Sequence, residues 1–139
     1  MRNKVIIAVL SIIVLTASFL AGWSLNSYNR NVATQKATEV AGIYIDDIIS
    51  GKTSDAYKLA SAQLKKDVNL EQFNKLAATE VNKDPNYISA YTATANNNFI
   101  VYSMVDGFPA DANGITSRLF TVLVVKEGGQ LKIDSAIVQ

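Results

Sequence analysis

The sequence predicts an α+β domain held behind one N-terminal membrane helix. Three observations carry this: an uncharged apolar run from Val5 to Leu25, helix-period apolar spacing from there to about Ala77, and period-two spacing beyond Asn86. A chain of 139 residues has room for one domain beside such a segment. The expected division is 1–28 for the cytoplasmic N-terminus and anchor and 29–139 for the domain.

The run VIIAVLSIIVLTASFLAGWSL interrupts its apolar side chains only with Ser11, Thr16, Ser18 and Ser24. At 1.5 Å per residue it spans about 31 Å, the thickness of a bilayer's hydrocarbon core. Hydroxyls are tolerated there because they return a hydrogen bond to the preceding turn. Arg2 and Lys4 precede the run, while Trp23 and Tyr28 fall at headgroup depth beyond it, which sets the N-terminus inside and the domain outside. A cleaved signal would need small residues one and three places before the cut. Cleavage after Ala21 or Gly22 puts Phe19 or Leu20 at the third position, and cleavage after Ser18 falls inside the apolar run, so the segment reads as an anchor. With no cysteine it cannot be a lipoprotein signal.

After NSYNR, the residues Val32, Val40, Ile43, Tyr44 and Ile48 recur at helical steps between polar positions, and Ser50-Gly51 closes this first helix. Thr53 or Ser54 is set to cap a second, whose Ala56, Tyr57, Ala60 and Leu64 share one face. Asn69-Leu70-Glu71-Gln72 has the form of a capping box opening a third, with Leu70, Phe73, Leu76 and Ala77 as its buried face. Pro85 ends the helical half, since the residue before a proline is driven out of helical space.

Four strands follow: Tyr87 to Ala95, Phe99 to Val105, Ile115 to Val125 and Leu131 to Val138. They are separated by an Asn96-Asn97-Asn98 turn, the loop 106–114 and a turn at Lys126 to Gln130. Short connections make an antiparallel meander the simplest pairing, with the helices on one face of a curved four-stranded sheet.

Composition excludes several functions. Thirteen Lys plus Arg against twelve Asp plus Glu give a net charge of +1, and Arg2 and Lys4 account for more than that excess. Such a domain lacks the basic face that nucleic acid requires. The absence of cysteine removes disulfides and thiolate metal sites, and the absence of histidine removes the commonest general base and metal ligand near neutral pH. No metal, cofactor or catalytic residue is expected. Gly128-Gly129 lacks phosphate-loop spacing and reads as a turn.

The stretch Ile48 to Phe73, with Gly51, Ala56, Tyr57, Leu59, Ser61 and Phe73 at its marked positions, followed by those strands, resembles the NTF2-like superfamily. The likeness is to its small membrane-anchored extracytoplasmic members and covers about residues 35–139. It implies a cone-shaped fold in which helices and a concave sheet can enclose a pocket, and the same fold hosts enzymes, ligand binders and scaffolds. On that basis Tyr44, Asp47, Tyr91 and Tyr102 are candidates for the cone interior. Asp47 stands one turn after Tyr44 and is favoured over Asp46 as an inward carboxylate. Phe108 and Pro109, at the tip of the 106–114 loop, are candidates for gripping a partner, the alternative being that the tip folds back onto the sheet, and Arg118, expected mid-strand, points to water by default.

The expected role is a non-catalytic extracytoplasmic module of the cell envelope. It would sit in the membrane through residues 5–25 and bind a protein partner or itself, in the manner of anchored subunits of conjugation or secretion machinery. The alternatives are a small-molecule binder and an enzyme using Asp47 with a tyrosine.

Overall fold

The computed structural model describes residues 27–80, 82 and 84–139. The apolar run Val5 to Leu25 lies outside them, and among the described residues no helix is long and apolar enough to cross a membrane. The chain divides into two compact units, Met1–Ala33 and Thr34–Gln139. Of the first, residues 27–33 are helical. All that follows concerns the second, an α+β unit with a four-stranded antiparallel sheet.

The unit opens with helical residues 34–49 (α1). Its buried stripe is Ala37, Ala41, Tyr44, Ile45, Ile48 and Ile49. That is the expected period carried partly by alanines, and Ile43, one position off the stripe, is 47% exposed. The helix ends as expected at Gly51. With φ at +74°, it lets Lys52 N–H reach the Asp47 carbonyl at 2.7 Å and its own N–H reach that of Ile48 at 3.0 Å, a Schellman closure.

The second predicted helix is two short ones, α2 (Thr53–Lys58) and α3 (Ala62–Asp67). The break at Leu59 to Ser61 has a tertiary cause. Ile133 N–H donates to the Leu59 carbonyl and Ser61 N–H to the Ile133 carbonyl, so this segment pairs with the edge of the sheet. Ser61 Oγ then caps α3 by accepting from Leu64 N–H, and donates to the Asp134 carboxylate at 2.7 Å. Lys52, not Thr53 or Ser54, precedes α2, because the Thr53 hydroxyl is spent on Asn74 of the next helix.

That helix, α4 (Leu70–Ala77), starts with the expected capping box between Asn69 and Gln72. Phe73 and Ala77 are buried, whereas Leu70 and Leu76 are exposed, Leu76 at 67%. A short 3₁₀ turn, Ala78–Glu80, follows.

The strands β1 (Asn86–Ala95), β2 (Asn98–Asp106), β3 (Arg118–Glu127) and β4 (Gln130–Val138) pair in chain order, all antiparallel. Two-residue turns join β1 to β2 and β3 to β4. Asn96 and Asn97 take positive φ in one, Gly128 and Gly129 in the other, as primed hairpin turns demand. Each edge strand carries one unpaired residue, Ile88 in β1 and Asp134 in β4. Phe99, Val101, Val105, Phe120, Val122, Val124 and Ile133 form the buried face. The helices lie on that side: Thr38 of α1 shares a 2.7 Å hydrogen bond with Thr92 of β1, which is paired with Val101.

The third strand begins three residues later than predicted. Residues 115–117 belong to a loop tied by hydrogen bonds, in which Phe108 N–H donates to the Thr116 carbonyl and the Asp111 carboxylate accepts from the N–H groups of Asn113 and Ile115. Thr116 Oγ1 donates to Asp106 at 2.5 Å. These bonds to Asp106 and Asp111 hold both carboxyls below their ordinary pKa.

Candidate functional site

The four residues proposed for a common interior are not together. Tyr91 and Tyr102 are partners across β1 and β2, with rings stacked 6.4 Å apart. They alternate with Thr92, Val101 and Ser103, of which Val101 and Ser103 are buried beneath the helices, so strand parity sends both tyrosines to the opposite, outer face. The unpaired Ile88 shifts parity within β1, and Tyr87 accordingly returns to the helical side, where its hydroxyl donates to the Asp46 carboxylate. Desolvation, then that bond and the charge behind it, raises the Tyr87 pKa.

Tyr44 does lie in a cleft. Buried on α1, it packs edge-on against Phe73, ring centroids 6.2 Å apart, and Phe73 in turn meets Tyr57 at 5.2 Å. Tyr57 is fixed by its hydroxyl donating to the Val68 carbonyl at 2.9 Å. The Tyr44 and Phe73 rings, with Ile48, Leu64, Leu76, Phe120, Ala136 and Val138, bound a mostly apolar cleft of about 210 Å³ that Glu80 also lines. Burial pushes the Tyr44 phenol up to about 12, so at neutral pH it can donate a hydrogen bond but cannot act as a phenolate. Asp47 is half-buried on α1 and does not line the cleft. Asp47 and Asp46 are adjacent on the helix and therefore about 100° apart, and neither joins Tyr44 in a catalytic pair. Among the described residues no cluster of three or more His, Cys, Asp or Glu could hold a metal ion.

Of the two readings of the loop tip, Phe108 takes the folded-back one. Phe108 is only 4% exposed, packed 6.2 Å from Phe120, because the loop's internal bonds fold it back onto the sheet. Pro109 stays exposed. Arg118 is half-buried at the start of β3 instead of solvated mid-strand. Its guanidinium lies 5.6 Å from the Phe108 ring and donates to the carbonyls of Pro109, Ile115 and Ser117. It cements the loop. Gly107 fits only as glycine, with φ at +95° and the Asp84 carbonyl oxygen 2.2 Å from where a Cβ would stand. Beside it the buried Asn82 links three segments, donating to the Asp106 carbonyl and accepting from Asp84 N–H while its own N–H donates to the Ile49 carbonyl. Nothing in the sequence singled out Asn82, since an isolated Asn before a proline reads as loop.

The feature that sequence reasoning missed is the outer face of the sheet. Following the registers, one row across it is Tyr91, Tyr102, Thr121 and Ile137. The next is Ala93, Ile100, Leu123 and Ser135, and on the other side Ser89, Met104 and Leu119 line up. These three rows carry no charge. Tyr91 is 68% exposed, Ile137 56% and Met104 36%. The signal was present: Phe99 to Val105 and Leu119 to Val125 are apolar or uncharged at both parities, the pattern of strands covered on both faces.

Compared with known proteins, the chain matches no protein-family model and no curated sequence.

Proposed function

We propose that residues 34–139 form a non-catalytic partner-binding or structural module, displayed outside the cell membrane by an anchor at residues 5–25. The observation that carries this reading is the outer sheet face, uncharged across its three central rows. The largest contiguous apolar patch on a typical monomer is about 300 to 600 Å² and is often an interaction surface. The anchor rests on the length and flanks of the apolar run. An NTF2-like cone is the fold we favour. Helices on one face of an open meander sheet support it, as do the extra residues Ile88 and Asp134, since bulges bend the strands that carry them.

The test is a photo-reactive residue at Tyr102 in the full chain, irradiated in cells. A discrete protein adduct is expected from Tyr102 and none from the same group at Lys126, on the exposed β3–β4 turn. Equal, diffuse labelling at both sites would overturn the reading.

The cleft beside Tyr44 supports a second reading, a binder of a small, largely apolar molecule with one hydrogen-bond acceptor. Its occupant should raise the melting temperature by mass action, and Tyr44→Phe should diminish the rise. A library of apolar and amphipathic compounds that leaves the melting temperature unmoved would dispose of it.

A further inference from the structure

We infer that the occupant of the outer sheet face is a second copy of this chain, packed sheet against sheet about a two-fold axis parallel to the strands. The inference rests on reading that face as an interaction surface and names its partner.

Three properties of the face argue for self-association. The first is charge. Across the three central rows, from Ser89 to Ile137, there is no charge to complement or to repel, and by the same registers Asp106 and Lys132 bound the face at its two ends.

The second is the order of side chains. A two-fold parallel to the strands reverses the order of a row while keeping its level, so β1 lies over β4 and β2 over β3. Tyr91 then meets Ile137, Tyr102 meets Thr121, Ile100 meets Leu123, and Met104 meets Leu119. Each large apolar side chain faces an uncharged one, and the small Ala93 and Ser135 face each other at the rim. Two sheets packed this way sit about 10 Å apart with strands within about 30° of alignment, the ordinary geometry of a sandwich.

The third is size. Four strands spaced about 4.8 Å apart and three rows about 6.7 Å apart give a face of roughly 400 Å² in projection. Two faces of that size together bury about 800 Å² in projection and somewhat more when corrugated, the size of a weak or transient interface. The face is large enough for a dimer and too small for an obligate one, in keeping with a unit that has its own buried core on the other side of the sheet.

The natural sequence has no cysteine, so an introduced thiol is the only one. The experiment uses the full chain in its membrane fraction. Thr121→Cys, beside the proposed axis, is treated with a short bis-maleimide and is expected to give a product of twice the chain mass, whereas Asn113→Cys in the 107–117 loop gives none. Adding Leu123→Glu should reduce the product at least tenfold. Co-producing Leu123→Glu and Leu123→Lys chains, each with Thr121→Cys, should restore it through opposite charges across the axis, which also shows that both variants fold.

A Thr121→Cys adduct with a different protein would overturn self-association and leave the partner-binding reading standing. No adduct, with Thr121→Cys alkylated as fast as Asn113→Cys, would overturn both. A double-mass product that survives Leu123→Glu would overturn the proposed face.

Discussion

The two faces of the sheet are built from similar side chains and meet opposite surroundings. On the inner face Val101, Val105, Phe120, Val122 and Val124 are almost wholly removed from water by α1, the short helices and the folded-back Phe108. On the outer face Ile100, Tyr102, Leu119 and Leu123 are only half-buried, and Tyr91 and Ile137 stand out at the edges. The comparison teaches that the helical half of the domain satisfies one side of the sheet and stops there. A strand apolar at both parities is the pattern of a strand covered on both faces, and the proposed function supplies the second cover from outside the unit.

Substitution can sharpen the contrast. Phe120→Ala, at the centre of the inner face, is expected to cost about 3 to 5 kcal/mol in chemical denaturation, because it removes a fully buried ring against Phe108 and the cleft. A loss near that of a surface residue would mean that the inner face is not the core.

The next largest effect is alkaline. Tyr44 is neutral in both folded and unfolded chains below its ordinary pKa of 10, but between there and about 12 only the folded state keeps the proton. Stability should therefore be full below about pH 10 and fall above it, by up to about 3 kcal/mol if both pH units are realised. Tyr44→Phe should reduce the decline to the part that Tyr87, whose pKa is also raised, contributes, and an unchanged pH profile in that variant would show that the phenol is not buried.

Gly107→Ala should cost about 2 kcal/mol, since it forces a positive φ on a residue with a Cβ and drives that atom into the Asp84 carbonyl. This probes the loop that seats Phe108 on the inner face. Freer proteolysis within 107–117 should accompany it, and a neutral substitution would mean that the loop is seated some other way.

The smallest change is expected on the outer face, where Leu123→Ala should cost under about 1 kcal/mol when measured at dilutions that keep chains apart. A penalty like that of Phe120→Ala would erase the distinction between the faces.

Local chemistry was legible in the sequence, and tertiary chemistry was not. Asn69 with Gln72 announced a helix start, Gly51 a helix end, and Asn96-Asn97 and Gly128-Gly129 the hairpin turns, because each motif satisfies its own backbone within a few residues. The split of the second helix depends on Ile133, more than seventy positions away in the chain, drawing Leu59 and Ser61 to the sheet edge. Likewise, the alternation in β1 does not reveal that Ile88 is passed over, which puts Tyr87 and Tyr91 on opposite faces. The candidate site suffered most from this, since grouping Tyr44, Tyr91 and Tyr102 required knowing which parity of each strand the helices cover. For Phe108 the sequence left a gripping tip and a folded-back ring both open, and only its bond to Thr116 and its seat against Phe120 decide between them.

The claim on which the functional account turns is that the outer face is covered in the working protein. Met104→Cys, on that face and accessible in the isolated chain, measures it directly through its maleimide alkylation rate in intact cells and again after dilution into mild detergent. The account expects alkylation in cells at least tenfold slower than after dilution. Equal rates in the two conditions would mean that nothing sits on the face, and the partner-binding role would fall with it.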